Sequence, residues 1–166
     1  MRFNLWRRFY AATVAGVLVL SLGQAAAAQS GARGSGADKL VGTWTVQVTL
    51  ADCTTGTPLG SPFPSLLTFA RGGTETETTA NPMFFPAERS PGHGVWSRID
   101  DRNYSAASTA FITLNGSLVK TQKITQAIQM GATSGSFTSA ASVQFFDPAG
   151  NLLGAACATA AGQRFK

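Results

Sequence analysis

His93, the only histidine in the chain, stands between glycines in Pro91-Gly-His-Gly94. An imidazole titrates near neutral pH and can act as a general base. A catalytic triad would also need a nucleophile and an orienting acid, and no spacing in the sequence supplies either. His93 and Tyr104 are the candidate catalytic residues, with a turn histidine held by its glycines as the competing reading of His93. Asp100-Asp-Arg-Asn103 offers paired carboxylates or a cation site, but it reads as a solvated hairpin turn. Glu75 and Glu77 share one parity of a strand and are expected to face outward. Cys53 and Cys157 are the only cysteines. Neither has a histidine nearby, and two ligands are too few for a zinc site, so they read as one disulfide in an oxidising compartment. No metal site and no cofactor are expected.

The elements that would position these residues are strands. Gly42 to Leu50 alternates strictly, with Trp44, Val46, Val48 and Leu50 on one face and Thr43, Thr45, Gln47 and Thr49 on the other. That pattern predicts a half-buried strand. Further strands are expected at 65–69, 74–79, 95–99, 104–114, 118–130, 136–146 and 152–165. Asn115-Gly116 is a hairpin signal between the fifth and sixth. Eight sequential antiparallel strands suit an all-β up-and-down barrel, which leaves no sheet edge; a Greek-key sandwich is the competing architecture. If Cys53 faces Cys157 across an antiparallel pair, Val46 falls opposite Arg164 and Trp44 opposite Lys166. The first and last strands would then pair and close the barrel. Arg164 would share the inward face with Trp44, where a guanidinium can stack on the indole.

Thirteen Lys and Arg against eight Asp and Glu give a formal charge of +5. Arg2, Arg7 and Arg8 precede an apolar run from about Ala11 to Leu22, and Ala25 to Ala28 form an Ala-x-Ala cleavage site. Residues 1–28 therefore read as a secretory signal helix, too short in its apolar part for a membrane anchor. Arg7-Arg8 also raises a twin-arginine route beside the general one. Without this segment ten basic residues face eight acids, a net of +2. No basic stripe interleaved with aromatics remains, so nucleic-acid binding is disfavoured. The protein is expected to be secreted or periplasmic, without a stable membrane anchor after processing. Residues 29–39 read as a flexible lead-in, and 40–166 as one barrel domain.

Gly42-Thr43-Trp44 on the first strand, with Gln163-Arg164-Phe165 on the last, resembles the calycin signature of lipocalins and their relatives. In that superfamily the tryptophan packs against an arginine near the barrel end, which makes Trp44 and Arg164 structural. The chain is also similar to small exported bacterial lipocalin-like proteins of unassigned function. The shared pattern is Asp52-Cys53, Phe69-Ala-Arg-Gly-Gly-Thr74, Ser90-Pro-Gly-His-Gly-Val-Trp96 and Phe145-Phe-Asp-Pro-Ala-Gly150. The Thr-Asp-Tyr loop of typical lipocalins is replaced by Gly131-Ala-Thr-Ser-Gly135.

An eight-stranded barrel is just wide enough to be filled by side chains or to hold one small ligand. Ala156, Ala158, Ala160 and Gly162 share the parity of Arg164 and leave room inside. That room either admits a ligand or is filled by Phe69, Phe111, Phe137 or Phe145. The loop from Asn81 to His93 carries Met83, Phe84 and Phe85 together, as a lid, a partner-binding patch or a loop folded over the outside. The leading expectation is a binder of one small apolar molecule, lined by Phe69, Trp96, Tyr104, Phe111 and Phe145 and gated by Met83, Phe84 and Phe85. The alternatives are a cyclase-type enzyme of the allene-oxide-cyclase-like barrel group and an exported protease-inhibitor or other protein-binding barrel.

Overall fold

A computed structural model describes residues Asp38–Lys166; the expected signal segment and nearly all of the expected lead-in lie outside the described residues. The described chain is all-β. Its strands are β1 (Gly42–Ala51), β2 (Pro58–Phe69), β3 (Thr74–Thr79), β4 (Glu88–Arg89), β5 (Gly92–Arg98), β6 (Asn103–Leu114), β7 (Ser117–Met130), β8 (Ser136–Phe146) and β9 (Leu152–Arg164). Every pairing is antiparallel, and the sheet closes in a ring in which β1 pairs with both β2 and β9. The two-residue β4 continues the line of β5 along β6: β5 takes Tyr104 to Thr109, and β4 takes Ile112 and Thr113. Pro91, which has no N–H to donate, falls in the gap between them.

The turns follow their residue types. Asn115 and Gly116 both adopt positive φ, 52° and 77°, as a two-residue turn between twisted strands requires. Asp52 Oδ1 accepts from the backbone N–H groups of Thr54 and Thr55 and fixes the chain leaving β1. β2 begins at Pro58, seven residues before the sequence pattern suggests. Pro58, Pro62 and Pro64 hide it, because proline cannot donate to a ladder and argues against a strand.

Closure of β1 on β9 agrees with expectation, but the register is shifted by two residues. Trp44 lies opposite Arg164, Val46 opposite Gly162 and Ala51 opposite Cys157. Cys53 sits beyond the end of β1, so its bond to Cys157 spans a Cα–Cα distance of 5.2 Å without being a ladder pair. A shift of two preserves parity, so the inward face is the expected one. Closing so long a loop stabilises the fold by about 4–5 kcal/mol in the chain-entropy account.

One end of the ring is packed solid. Trp44 meets Phe137 edge-on at 5.0 Å between ring centroids, Phe69 lies 6.4 Å from Phe137, and Trp96 lies 5.8 Å from Tyr104. Leu40, Ile128 and Met130 complete this aromatic plug. Both buried indoles keep a partner: Trp44 Nε1 donates to the Leu40 carbonyl and Trp96 Nε1 to that of Ala70. Gly162 belongs to the same packing. A Cβ there would lie 2.3 Å from the Phe137 ring, so the aromatic fills the space the glycine leaves.

Candidate functional site

The other end of the ring is hollow. Ala156, Ala158 and Ala160 of β9 keep the inward parity of Gly162 and line an open space. The result is a cavity of about 550 Å³, within the range of small-molecule sites. Its walls are largely apolar: Val46, Val48 and Leu50 from β1, Leu67 from β2, Ile112 from β6, Ile124 from β7, and Val143 and Phe145 from β8. Phe137 and Phe69 fill the closed end, and the open end stays empty.

The loop after β3 lies at the mouth. Asn81 caps a short helical turn, Pro82–Phe84, its Oδ1 accepting from the Met83 N–H at 3.0 Å. Met83 and Phe84 line the cavity, and the Phe84 ring lies 5.9 Å from the Arg89 guanidinium carbon. Phe85 points away from the cavity and is 87% exposed. Two of the three expected gate residues are therefore at the mouth.

Of the expected lining, Phe145 lies in the cavity wall. Phe69, Trp96 and Tyr104 are buried in the plug instead. Phe111 is 53% exposed on the outer face, because the inward parity of β6 belongs to Ala110 and Ile112. His93 is exposed on the outside of β5, opposite Thr76 and Thr109. Tyr104 is buried, and its hydroxyl has no hydrogen-bond partner among the described residues; burial raises its pKa. His93 and Tyr104 do not converge on the cavity. Asp100 organises the β5–β6 turn. Its carboxylate accepts from Asn103 Nδ2 and from the N–H groups of Arg102 and Asn103, which hold its pKa below the usual range.

Glu75 and Glu77 correct the sequence reading: both face inward, 2% and 5% exposed. β3 alternates Glu with Thr, so neither of its faces is apolar and the pattern alone cannot orient it. Its orientation comes from β2, where Phe69 and Leu67 pair with Glu75 and Glu77 and face the core. On the other side Glu75 pairs with Gly94, and Glu77 with Gly92. A Cβ at Gly92 would lie 2.4 Å from Glu77 Oε1, so the absent side chain makes room for the carboxylate. The glycines flanking His93 belong to β5, and Gly92 leaves the space that Glu77 takes inside the ring.

The two carboxyl groups differ in their surroundings. Glu77 is bonded to the buried guanidinium of Arg89, which also donates from Nε to Gln122 Oε1 at 2.5 Å and from a terminal nitrogen to the Ser90 carbonyl. Among the described residues neither oxygen of Glu75 has a hydrogen-bond partner, and the Ser108 hydroxyl on β6, on the far side of Gly94, is likewise unpaired. Burial pushes Glu75 up to about 7, and the charge of Glu77 adds to that shift. Sequence reasoning missed this inner polar group. Its signals are the Glu-x-Glu of β3 facing the Gly-x-Gly of β5, and Gln122 and Gln126 on the parity of Ile124 and Ile128.

Comparison with protein-family models, with curated proteins and with solved structures finds no match for this chain.

Proposed function

We propose that this protein is an exported, calycin-like up-and-down barrel that binds one small apolar molecule. The observation that carries the reading is the apolar cavity of about 550 Å³ at one end of a ring whose other end is sealed by aromatics. Burying apolar ligand surface against such walls contributes roughly 25 cal/mol per Å². The Trp44–Arg164 stack supports the calycin likeness, and the Cys53–Cys157 bond supports an oxidising compartment reached through the 1–28 signal. Native mass spectrometry of the purified protein tests the reading. A stoichiometric adduct lost on extraction with organic solvent is expected. A protein that stays at its apo mass when offered a panel of apolar molecules contradicts it.

Phe85, 87% exposed, and Met83, 74% exposed, favour a second reading, a protein-binding barrel of the protease-inhibitor type. Inhibition of a secreted protease that disappears in Phe85→Ala, with the cavity blocked by ligand, would select it over the first.

A further inference from the structure

One wall of the cavity is polar in a directed way. Gln122 and Gln126 lie on the inward face of β7 with Ile124 between them, and all three line the cavity. Gln122 is 6% exposed, and its Oε1 is engaged by Arg89 Nε. A guanidinium carries donors only, so this contact fixes which end of the amide meets it. The carbonyl of Gln122 is used, and its NH₂ has no partner among the described residues. Gln126 repeats the arrangement more weakly, its Oε1 accepting a long bond of 3.4 Å from the Ser139 hydroxyl. A ligand that covers this NH₂ without bringing an acceptor would leave a buried donor unpaired, which is costly, so a ligand that fits this wall brings an acceptor.

The charge of that acceptor follows from the rest of the interior. Among the described residues Glu75 and Glu77 place two carboxyl groups inside the ring against one buried cation, Arg89, which Glu77 already holds. A carboxylate ligand would add a third acid. Lys120 reaches the cavity only from an exposed position.

We infer that the cavity takes an uncharged apolar molecule bearing one carbonyl oxygen, a ketone or an ester, and that the Gln122 amide donates to this oxygen. The inference rests on the small-molecule reading above.

Displacement of the neutral fluorophore N-phenyl-1-naphthylamine from the purified protein by nonane, nonan-2-one and nonanoate at pH 8 tests it. Burying a carbonyl where neither the Gln122 nor the Gln126 amide donates to it would weaken the ketone about ten-fold or more relative to the alkane. With the donor in place, nonan-2-one binds at least as tightly as nonane, and nonanoate binds most weakly. Gln122→Glu keeps an acceptor for Arg89 and removes the amide donor; Gln122→Met removes both. In each variant the ketone-to-alkane affinity ratio falls about ten-fold. A wild-type ketone ten-fold weaker than nonane, or a ratio unchanged in both variants, overturns the Gln122 subsite and leaves the carrier reading standing. Tightest binding of nonanoate also overturns it, in favour of an anion site. If neither the fluorophore nor any of the three compounds binds, the carrier reading falls and the subsite with it. Should both variants fail to fold, the wild-type ranking decides.

Discussion

Arg164 lies directly opposite Trp44 across the β1–β9 seam, with its guanidinium carbon 4.3 Å from the indole ring centroid. The same guanidinium donates to the carbonyls of Lys39, Val41 and Ser134 at 2.5, 2.8 and 3.1 Å. One side chain thus ties the segment before β1 and the β7–β8 turn to the seam that closes the ring. A Cβ at Gly42 would lie 2.6 Å from this guanidinium, which makes Gly42 part of the same contact.

Arg164→Ala removes three charge-assisted hydrogen bonds and a cation–π stack, and is expected to cost about 3 kcal/mol. Arg164→Lys keeps the charge but not the planar fork, and should recover less than half of the loss. Urea unfolding of the three proteins measures this. A variant within about 0.5 kcal/mol of the wild type would show that the seam does not depend on Arg164.

Glu75 makes stability depend on pH in a defined direction. Its folded pKa is about 7 against an ordinary 4.5, so between these values the folded protein holds a proton that the unfolded chain has released. Stability from this group is complete below about pH 4.5, falls as pH rises towards 7, and is constant above. The loss is on the order of 3 kcal/mol. Glu75→Gln should flatten this part of the profile. Urea midpoints from pH 4 to 8 compare the two proteins, and parallel curves would mean that Glu75 ionises freely in the fold.

Gly92 and Gly94 should respond differently to alanine. At Gly94 the new Cβ would lie 2.0 Å from the Ala107 carbonyl oxygen, a backbone atom of the paired strand, whereas at Gly92 it meets only the Glu77 side chain. Gly94→Ala is expected to cost about 3 kcal/mol, and Gly92→Ala less. Gly92→Ala and Glu77→Ala should couple, the double variant being at least about 1 kcal/mol more stable than the two losses predict. Additive losses in this cycle would show that Gly92 does not make room for Glu77.

The closure of the ring was legible because the ends of the chain carry strong patterns. Trp44, Val46 and Val48 alternate with polar residues, and β9 alternates small residues up to Arg164. The exact pairing was not legible, because Cys53 lies past its strand and the bond it forms tolerates a shift of two residues. The polar interior was hidden for a different reason. Glu75 and Glu77 are ordinary surface residues by type, and only the glycines facing them and the register of β2 turn them inward. Phe111 misled in the opposite sense, since a phenylalanine on an exposed parity looks like lining until its neighbours Ala110 and Ile112 are placed. The partition of the small-residue stripe into a filled and an empty half depends on which aromatics cross the ring, and β9 alone carries no record of that.

The cavity as a binding site is tested most directly by filling it. Ala158 lines it, 6% exposed, and pairs with Leu50 and Ala141. Ala158→Phe should occupy the space with a ring while leaving the melting temperature no lower, since the added apolar surface is buried. The measurement is titration with N-phenyl-1-naphthylamine, followed by fluorescence. The expected result is saturable one-to-one binding to the wild type and binding at least about ten-fold weaker to the folded variant. No saturable binding to the wild type, or equal binding to both proteins, would contradict the assignment of the cavity as the site.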